Sequence, residues 1–246
     1  MRIRLSGQFL PLFLLQLAFT VPTFADEIVT ASATGEFPKK QRDSAEVREF
    51  EVRVDNKAVG THRVTIESDG TNERANIQTD VRVDVIVYAY VFKSRGTEVW
   101  NGGRLESCEI QCEDGGKKRS ITVKTDKAGQ QVSFNGKPVE GSQTNIMSTC
   151  YWRLPAEEHR AKSLPVVDVD TGKFHTAKFD ISAPSTMTLD GQTIKCRQVK
   201  FDGPSPAEVW FDDRDWIVKQ KSVERGHTME LKLKSIRLAK NERPRK

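Results

Sequence analysis

The sequence predicts an all-β fold with minor helix: a large antiparallel meander sheet, curled into an open barrel or half-barrel around a short helical segment. Three observations predict it. Apolar and polar residues alternate with period two over most of residues 47–236, which turns one strand face inward and the other to water. Gly- and Asn-rich turns recur at meander spacing, and they separate roughly a dozen strands, far above the ordinary strand content. A sheet that long exposes edges unless it curls or is covered, so curling is physically expected.

Each element follows from its own pattern. Phe50, Val52 and Val54 alternate with Glu51 and Arg53; Asp55-Asn56-Lys57 turns the chain into a partner strand carrying Val59, Val64 and Ile66. From 75 to 87, Val81, Val83, Val85 and Val87 share one face while Ile86, Tyr88 and Tyr90 share the other, so the far end of that strand is apolar on both sides. Strands are expected next over 98–113, 118–125 and 131–134, with turns at Gly102-Gly103, Gly115-Gly116, Gly129 and Asn135-Gly136. Between 143 and 162 the period changes. Ile146, Met147, Cys150 and Tyr151 fall at helix-like intervals, and Pro155 to Glu158 could open a turn, so one or two short helices are expected. Strands then resume over 166–170, 176–181, 186–189, 193–201, 208–211, 216–222 and 228–236.

The ends read differently from this body. Met1, Arg2 and Arg4 precede an apolar run from Phe9 to Val21, and small residues at Thr23 and Ala25 precede Asp26. That order is a cleavable secretory signal over residues 1–25, with cleavage after Ala25. The run is shorter than the roughly 18 to 20 residues that span a bilayer, so no transmembrane span is expected in the mature chain. Residues 26–46 form a flexible lead-in, 47–236 one β domain, and 237–246 a basic disordered tail. The location implied is periplasmic or extracellular. Losing Arg2 and Arg4 trims the small excess of 39 basic over 34 acidic residues. With no zinc-finger spacing and no basic helix, nucleic acid is excluded as a partner.

Four cysteines, Cys108, Cys112, Cys150 and Cys196, are disulfide candidates in an oxidising compartment, in any of three connectivities. Cys108 and Cys112 share a strand about 13 Å apart, too far to bond to each other. The four histidines, His62, His159, His175 and His227, match no metal spacing and read as surface residues. Asp168 and Asp170, and Asp212, Asp213 and Asp215, read as turn caps rather than calcium ligands. Glu98 and Glu208 each precede a Val-Trp pair; a carboxylate pair could do acid and base work, but the plainer account puts both on the solvent face. No catalytic motif is present, so no catalytic residue, metal or cofactor is expected, and no enzymatic activity. A hydrolase remains a minor alternative.

The aromatic residues are more suggestive. Tyr88, Tyr90, Trp100, Tyr151, Trp152, Trp210 and Trp216 gather at strand ends and at the helical insertion. A concave sheet would bring some of them together as an apolar pocket for a lipid or another hydrophobic, envelope-derived ligand, although a plain β core accounts for them too.

A series of short motifs also carries a resemblance. Asp55-Asn56-Lys57-Ala58-Val59-Gly60, Tyr88-x-Tyr90, Glu98-x-Trp100, Gly103-x-Leu105, Tyr151-Trp152, Thr171-Gly172 and Val209-Trp210-Phe211-Asp212 with Trp216 occur in this order. In that order they resemble an exported bacterial family known as a domain of unknown function, and more distantly the curved sheets of lipoprotein carriers. Asp168-Val169-Asp170 and the number of cysteines depart from the family pattern. The resemblance implies a curved antiparallel sheet in an exported protein and brings no catalytic residue with it. Non-catalytic ligand binding is therefore the first functional expectation. A structural or scaffolding protein of the envelope, binding another protein through a sheet edge or the basic tail, is the second.

Overall fold

The computed structural model describes residues 45–239 except 86–87, 128, 141–143, 158–159, 161–162, 204–205 and 225. The signal segment, most of the lead-in and the last residues of the basic tail lie outside the described residues. The described residues form sixteen strands in one sheet. The first eight are β1 (Ala45–Val54), β2 (Lys57–Ser68), β3 (Asn72–Val85), β4 (Tyr88–Asn101), β5 (Arg104–Asp114), β6 (Lys117–Asp126), β7 (Gly129–Phe134) and β8 (Lys137–Pro138). The second eight are β9 (Met147–Ser148), β10 (Ser163–Val167), β11 (Phe174–Ile181), β12 (Ser185–Leu189), β13 (Gln192–Asp202), β14 (Ala207–Asp212), β15 (Ile217–Glu224) and β16 (His227–Ala239).

The order β8-β7-β6-β5-β4-β3-β2-β1-β16-β15-β14-β13-β11-β10-β9 makes the sheet two meanders joined where the first and last strands pair. β1 lies between β2 and β16, so the ends of the described domain meet at the middle of the sheet. Every pairing is antiparallel except β9 with β10, and β12 stands off the path as a second partner of β13. The all-β, open-barrel expectation is met. The strand expected over 98–113 is two strands that turn at Gly102-Gly103, and β1 and β16 extend into the stretches read as lead-in and tail.

Among the described residues the sheet does not close by a backbone ladder. Its edges are the two-residue strands β8 and β9, and Pro138 on β8 lacks the N–H that a further strand would need. Side chains bridge the seam. Arg119 on β6 donates to the Asp170 carbonyl at 3.4 Å, and Gly172 lies so near Phe134 of β7 that a Cβ there would sit 2.5 Å from the ring. The inward side chains of both meanders meet in one core that includes Phe50, Phe92, Leu105, Phe201 and Phe211.

The segment expected to be helical corrects the reading. Among the described residues of 144–160, helical geometry occurs only at Glu157. The stretch instead crosses the concavity in turns and short extended pieces. Its apolar residues fall at helical intervals because both sides of the strand-like crossing are buried, which erases the period-two signature.

Candidate functional site

The crossing segment is built into both meanders. Thr149 N–H donates to the Val167 carbonyl at 3.1 Å, Leu154 N–H to Asp215 at 2.9 Å, and Ile217 N–H to Trp152 at 2.9 Å. Arg153 pairs with Trp216 as an isolated antiparallel bridge. On the other side, Ala156 N–H donates to the Gly103 carbonyl at 3.1 Å. Gly103 adopts φ +77°, and any side chain on it would overlap Ala156, so only glycine admits the segment at that turn. Ile146 N–H reaches Gln130 Oε1 at 2.7 Å, while the Gln130 amide donates to the Leu105 carbonyl.

Glu98 lies beneath this segment, with none of its surface exposed. The indoles of Trp100 and Trp152 donate to its Oε2 at 2.9 and 2.6 Å, and the Ser148 hydroxyl donates to Oε1. The two indoles meet edge to face with centroids 6.0 Å apart. Cys108, directly opposite Glu98 across the ladder, and Cys150 both face this carboxylate; burial first, and then Glu98, pushes both thiols well above their usual range. They are held as neutral thiols, the unreactive form.

A second buried charge lies further along the concavity. Arg48, fully buried, donates to Glu46 at 2.7 Å, to Asp212 and to the Ile217 carbonyl at 2.7 Å. Burial works against the charge on Asp212, but Arg48 and Arg214 outweigh it and hold the carboxyl below its usual range. Arg214 adds an ion pair to Glu46 at 2.8 Å and stacks 4.2 Å from the Trp216 ring. Trp216 then donates to Glu73 Oε1 at 3.3 Å. Glu73 also pairs with Arg153, whose guanidinium sits 5.9 Å from the Trp100 ring. One continuous chain of charged and aromatic groups therefore runs from Glu46 and Arg48 through Trp216, Glu73 and Arg153 to Trp100 and Glu98.

The structure gathers part of the aromatic set and not the rest. Trp100, Trp152 and Trp216 join through this chain, and Tyr151 packs on Phe201 at 4.7 Å. Tyr90 is buried apart, donating its hydroxyl to Asp114 at 2.6 Å. Tyr88 opens β4 opposite Val85. Trp210 is half-buried, with Lys219 Nζ 4.9 Å from its ring. Trp100, Tyr151, Trp152 and Trp216 are each at most 6% exposed, so they pack as core around the crossing segment.

Three expectations are corrected. Glu98 is not on the solvent face: it alternates with Trp100 on the inner face, whereas Glu208 is half-buried and accepts from Gln198 at 2.9 Å. His62 is not a surface residue. It is buried against Phe50, its Nδ1 is 2.8 Å from the Thr79 hydroxyl, and burial pushes its pKa down to about 3. The disulfide candidates are four buried free thiols. Cys108 and Cys112 do share the inner face of β5, Cys150 is on the crossing segment, and Cys196 lies on β13 beside Ser185. Burial pushes Cys112 up to about 12. The turn readings of the aspartates hold: Asp168 Oδ1 accepts from Asp170 N–H at 2.9 Å, and Asp212 Oδ1 from Arg214 N–H at 2.9 Å. Among the described residues no group of three or more His, Cys, Asp or Glu is arranged to hold a metal. No helix there is long and apolar enough to cross a membrane.

Arg48, Glu46, Glu73, Ser148 and Arg153 escaped the sequence reading. For Glu46, Arg48 and Glu73, charge at inward positions of an alternating strand was the only signal; Ser148 and Arg153, on the crossing segment, had none.

With this geometry in place, a model of a domain of unknown function, DUF6134, matches residues 50–234. The chain belongs to the DUF6134 family. The match includes Glu73, Glu98, Trp100, Trp152, Arg153, Asp212 and Trp216, while Glu46 and Arg48 precede its first residue. Among solved structures, the chain is similar to a β-barrel-like protein of another domain of unknown function, DUF1849, from Brucella abortus. The TM-score is 0.59 at 10% identity, over 81% of this chain and 99% of that one. At that identity the likeness shows the fold alone. No curated protein matches the chain.

Proposed function

We propose that the chain is an exported, non-catalytic protein of the cell envelope that acts as a structural or scaffolding domain, binding its partners on the outside of the curled sheet. One observation carries this reading: the concavity where a hydrophobic ligand would sit is occupied by the chain's own residues 146–156, tied to both meanders by backbone hydrogen bonds. A carrier presents a preformed apolar cavity. Here the aromatic residues that would line it spend their indole N–H groups on Glu98 and Glu73. The cysteine thiols nearest Glu98 are held protonated, which argues against a thiolate nucleophile.

Native mass spectrometry and lipid extraction of freshly purified protein test the reading, with no retained lipid as the expected result. A stoichiometric lipid that is lost when Trp152→Ala loosens the segment would overturn it in favour of a carrier. Export is tested by sequencing the amino terminus of the protein recovered outside the cytoplasm, which should begin at Asp26. Removing residues 240–246, beyond the end of β16, should leave the partners of the sheet unchanged. Their loss would move the binding role to the tail.

A further inference from the structure

Among the described residues three strands have a strand partner on one side only: β8, β9 and β12. Two of them are blunted. β8 is two residues long and ends on Pro138, and β9 is two residues long with both buried. β12 is five residues, Ser185-Thr186-Met187-Thr188-Leu189, with neither proline nor charge, the devices that keep an edge from pairing. It is bonded to β13; β16 comes near it but takes its own strand partners from β1 and β15.

The turn at the end of β12 fixes which backbone groups face outward. Asp190 and Gly191 connect β12 to β13 with φ of 47° and 79°. Two positive values in a two-residue loop make a type I′ hairpin, whose flanking residues exchange both of their backbone hydrogen bonds. Those residues are Leu189 and Gln192. Alternation from that pair turns the N–H and C=O of Ser185, Met187 and Leu189 toward β13, and those of Thr186 and Thr188 away from it. Among the described residues no backbone group bonds to Thr186 or Thr188 on that side, and both residues are exposed. Met187 and Leu189 pack half-buried against the core, so an apolar border runs beside the free edge.

We propose that β12 is a dimer edge: a second copy of this chain adds its own β12 antiparallel, centred on Met187, and joins the two sheets into one. Three features point to a second copy as the occupant. A two-fold axis at Met187 sets Thr186 of each copy opposite Thr188 of the other. These are the residues whose N–H and C=O face outward, so the strands meet in phase through two hydrogen-bonded pairs. The side-chain rows match as well. On the inner face Met187 meets Met187, extending the apolar row that begins at Ile194 on β13; on the outer face Thr meets Thr, a favourable cross-strand pair. No charge meets its like, because β12 carries none and Lys195, opposite Thr186 on β13, lies one strand back from the contact. This pairing goes beyond the scaffolding reading and does not depend on it.

Sedimentation velocity of the purified protein tests the pairing. A concentration-dependent dimer in the micromolar range is expected, since a short edge makes a small interface. Thr186→Lys/Thr188→Lys sets like charges opposite each other across the axis and should dissociate the dimer, and Thr186→Glu/Thr188→Glu should do the same. Mixing the two double variants should restore a dimer with one copy of each, seen by mass in native mass spectrometry. Both variants should keep the circular dichroism of the wild type, because the altered side chains point to water. A wild type that stays monomeric at about 100 μM, a dimer that survives in either double variant, or variants that do not pair when mixed would each overturn the proposal. The scaffolding reading fails separately: a retained lipid would sink it whatever the oligomeric state, and a lipid-free monomer would sink only the pairing.

Discussion

Arg48 and Glu98 are both charged and both wholly buried, yet the chain accommodates them by opposite means. Arg48 meets opposite charge, from Glu46 and Asp212, and one backbone carbonyl. Among the described residues Glu98 has no ion-pair partner; two indoles and a hydroxyl donate to it, and the Cys108 and Cys150 thiols hydrogen-bond to it as well. Ion pairing suits a site framed by ladder strands, because both strands hold the partners in fixed register. Neutral donors suit the junction with the crossing segment: Ser148, Cys150 and Trp152 all come from that segment. The carboxylate therefore acts as the clasp that holds the segment down. A buried charge is tolerated when its shell is complete, and the source of that shell decides what the charge secures.

The largest effect should come from breaking the ionic centre. Arg48→Met leaves Glu46 and Asp212 with only the partly exposed Arg214 as their cation, and a loss of about 3–5 kcal/mol is expected in urea unfolding. Glu98→Gln retains the shape but removes the charge and replaces one acceptor oxygen by an NH₂, so that the Ser148 hydroxyl must turn from donor to acceptor. A loss of about 1–3 kcal/mol is expected, with near-ultraviolet circular dichroism reporting the change around Trp100 and Trp152. Should Glu98→Gln cost more than Arg48→Met, the assignment of the two centres would be reversed.

Acid acts on the ionic centre and, separately, on His62. The folded pKa of Asp212 is depressed, so its stabilising contribution is complete above the unfolded carboxylate value and is lost as pH falls through the lower folded one. His62 acts at higher pH. Its folded pKa of about 3 lies below its unfolded 6.5, so its contribution is complete above pH 6.5 and falls by about 1.4 kcal/mol per unit between those limits. Urea titrations at pH 7, 6 and 5 should show that slope, and His62→Phe should flatten it. The smallest expected change is Ser148→Ala, about 1–2 kcal/mol, because the two indoles remain on Glu98. A Ser148→Ala protein as stable as wild type would remove the hydroxyl from the clasp.

Much of the sheet was legible in the sequence. Alternation in Phe50-Val52-Val54 and turn residues such as Asn135-Gly136 place strands and reversals locally, since strand period and positive φ are short-range properties. The helix expected around Ile146 and Cys150 was not, because burial on both sides of an extended crossing mimics a helical stripe. The sequence carried a signal for half of the Glu98 site that the solvent-face expectation overlooked: Glu98 and Trp100, two residues apart on one strand, must share a face. Its other half was hidden, since Trp152 and Ser148 reach Glu98 only through the path of the crossing segment.

By itself, then, the sequence determined the all-β class, the order of most strands and the face of most side chains, all set by contacts between near neighbours. Tertiary structure alone decided that β1 and β16 pair at the centre of the sheet, that residues 146–156 fill the concavity, and that Arg48 finds Asp212 across 164 residues of chain. These are long-range closures. Their partners are chosen by the shape of the whole sheet and by the need to complete the shell of each buried charge, neither of which a local pattern encodes.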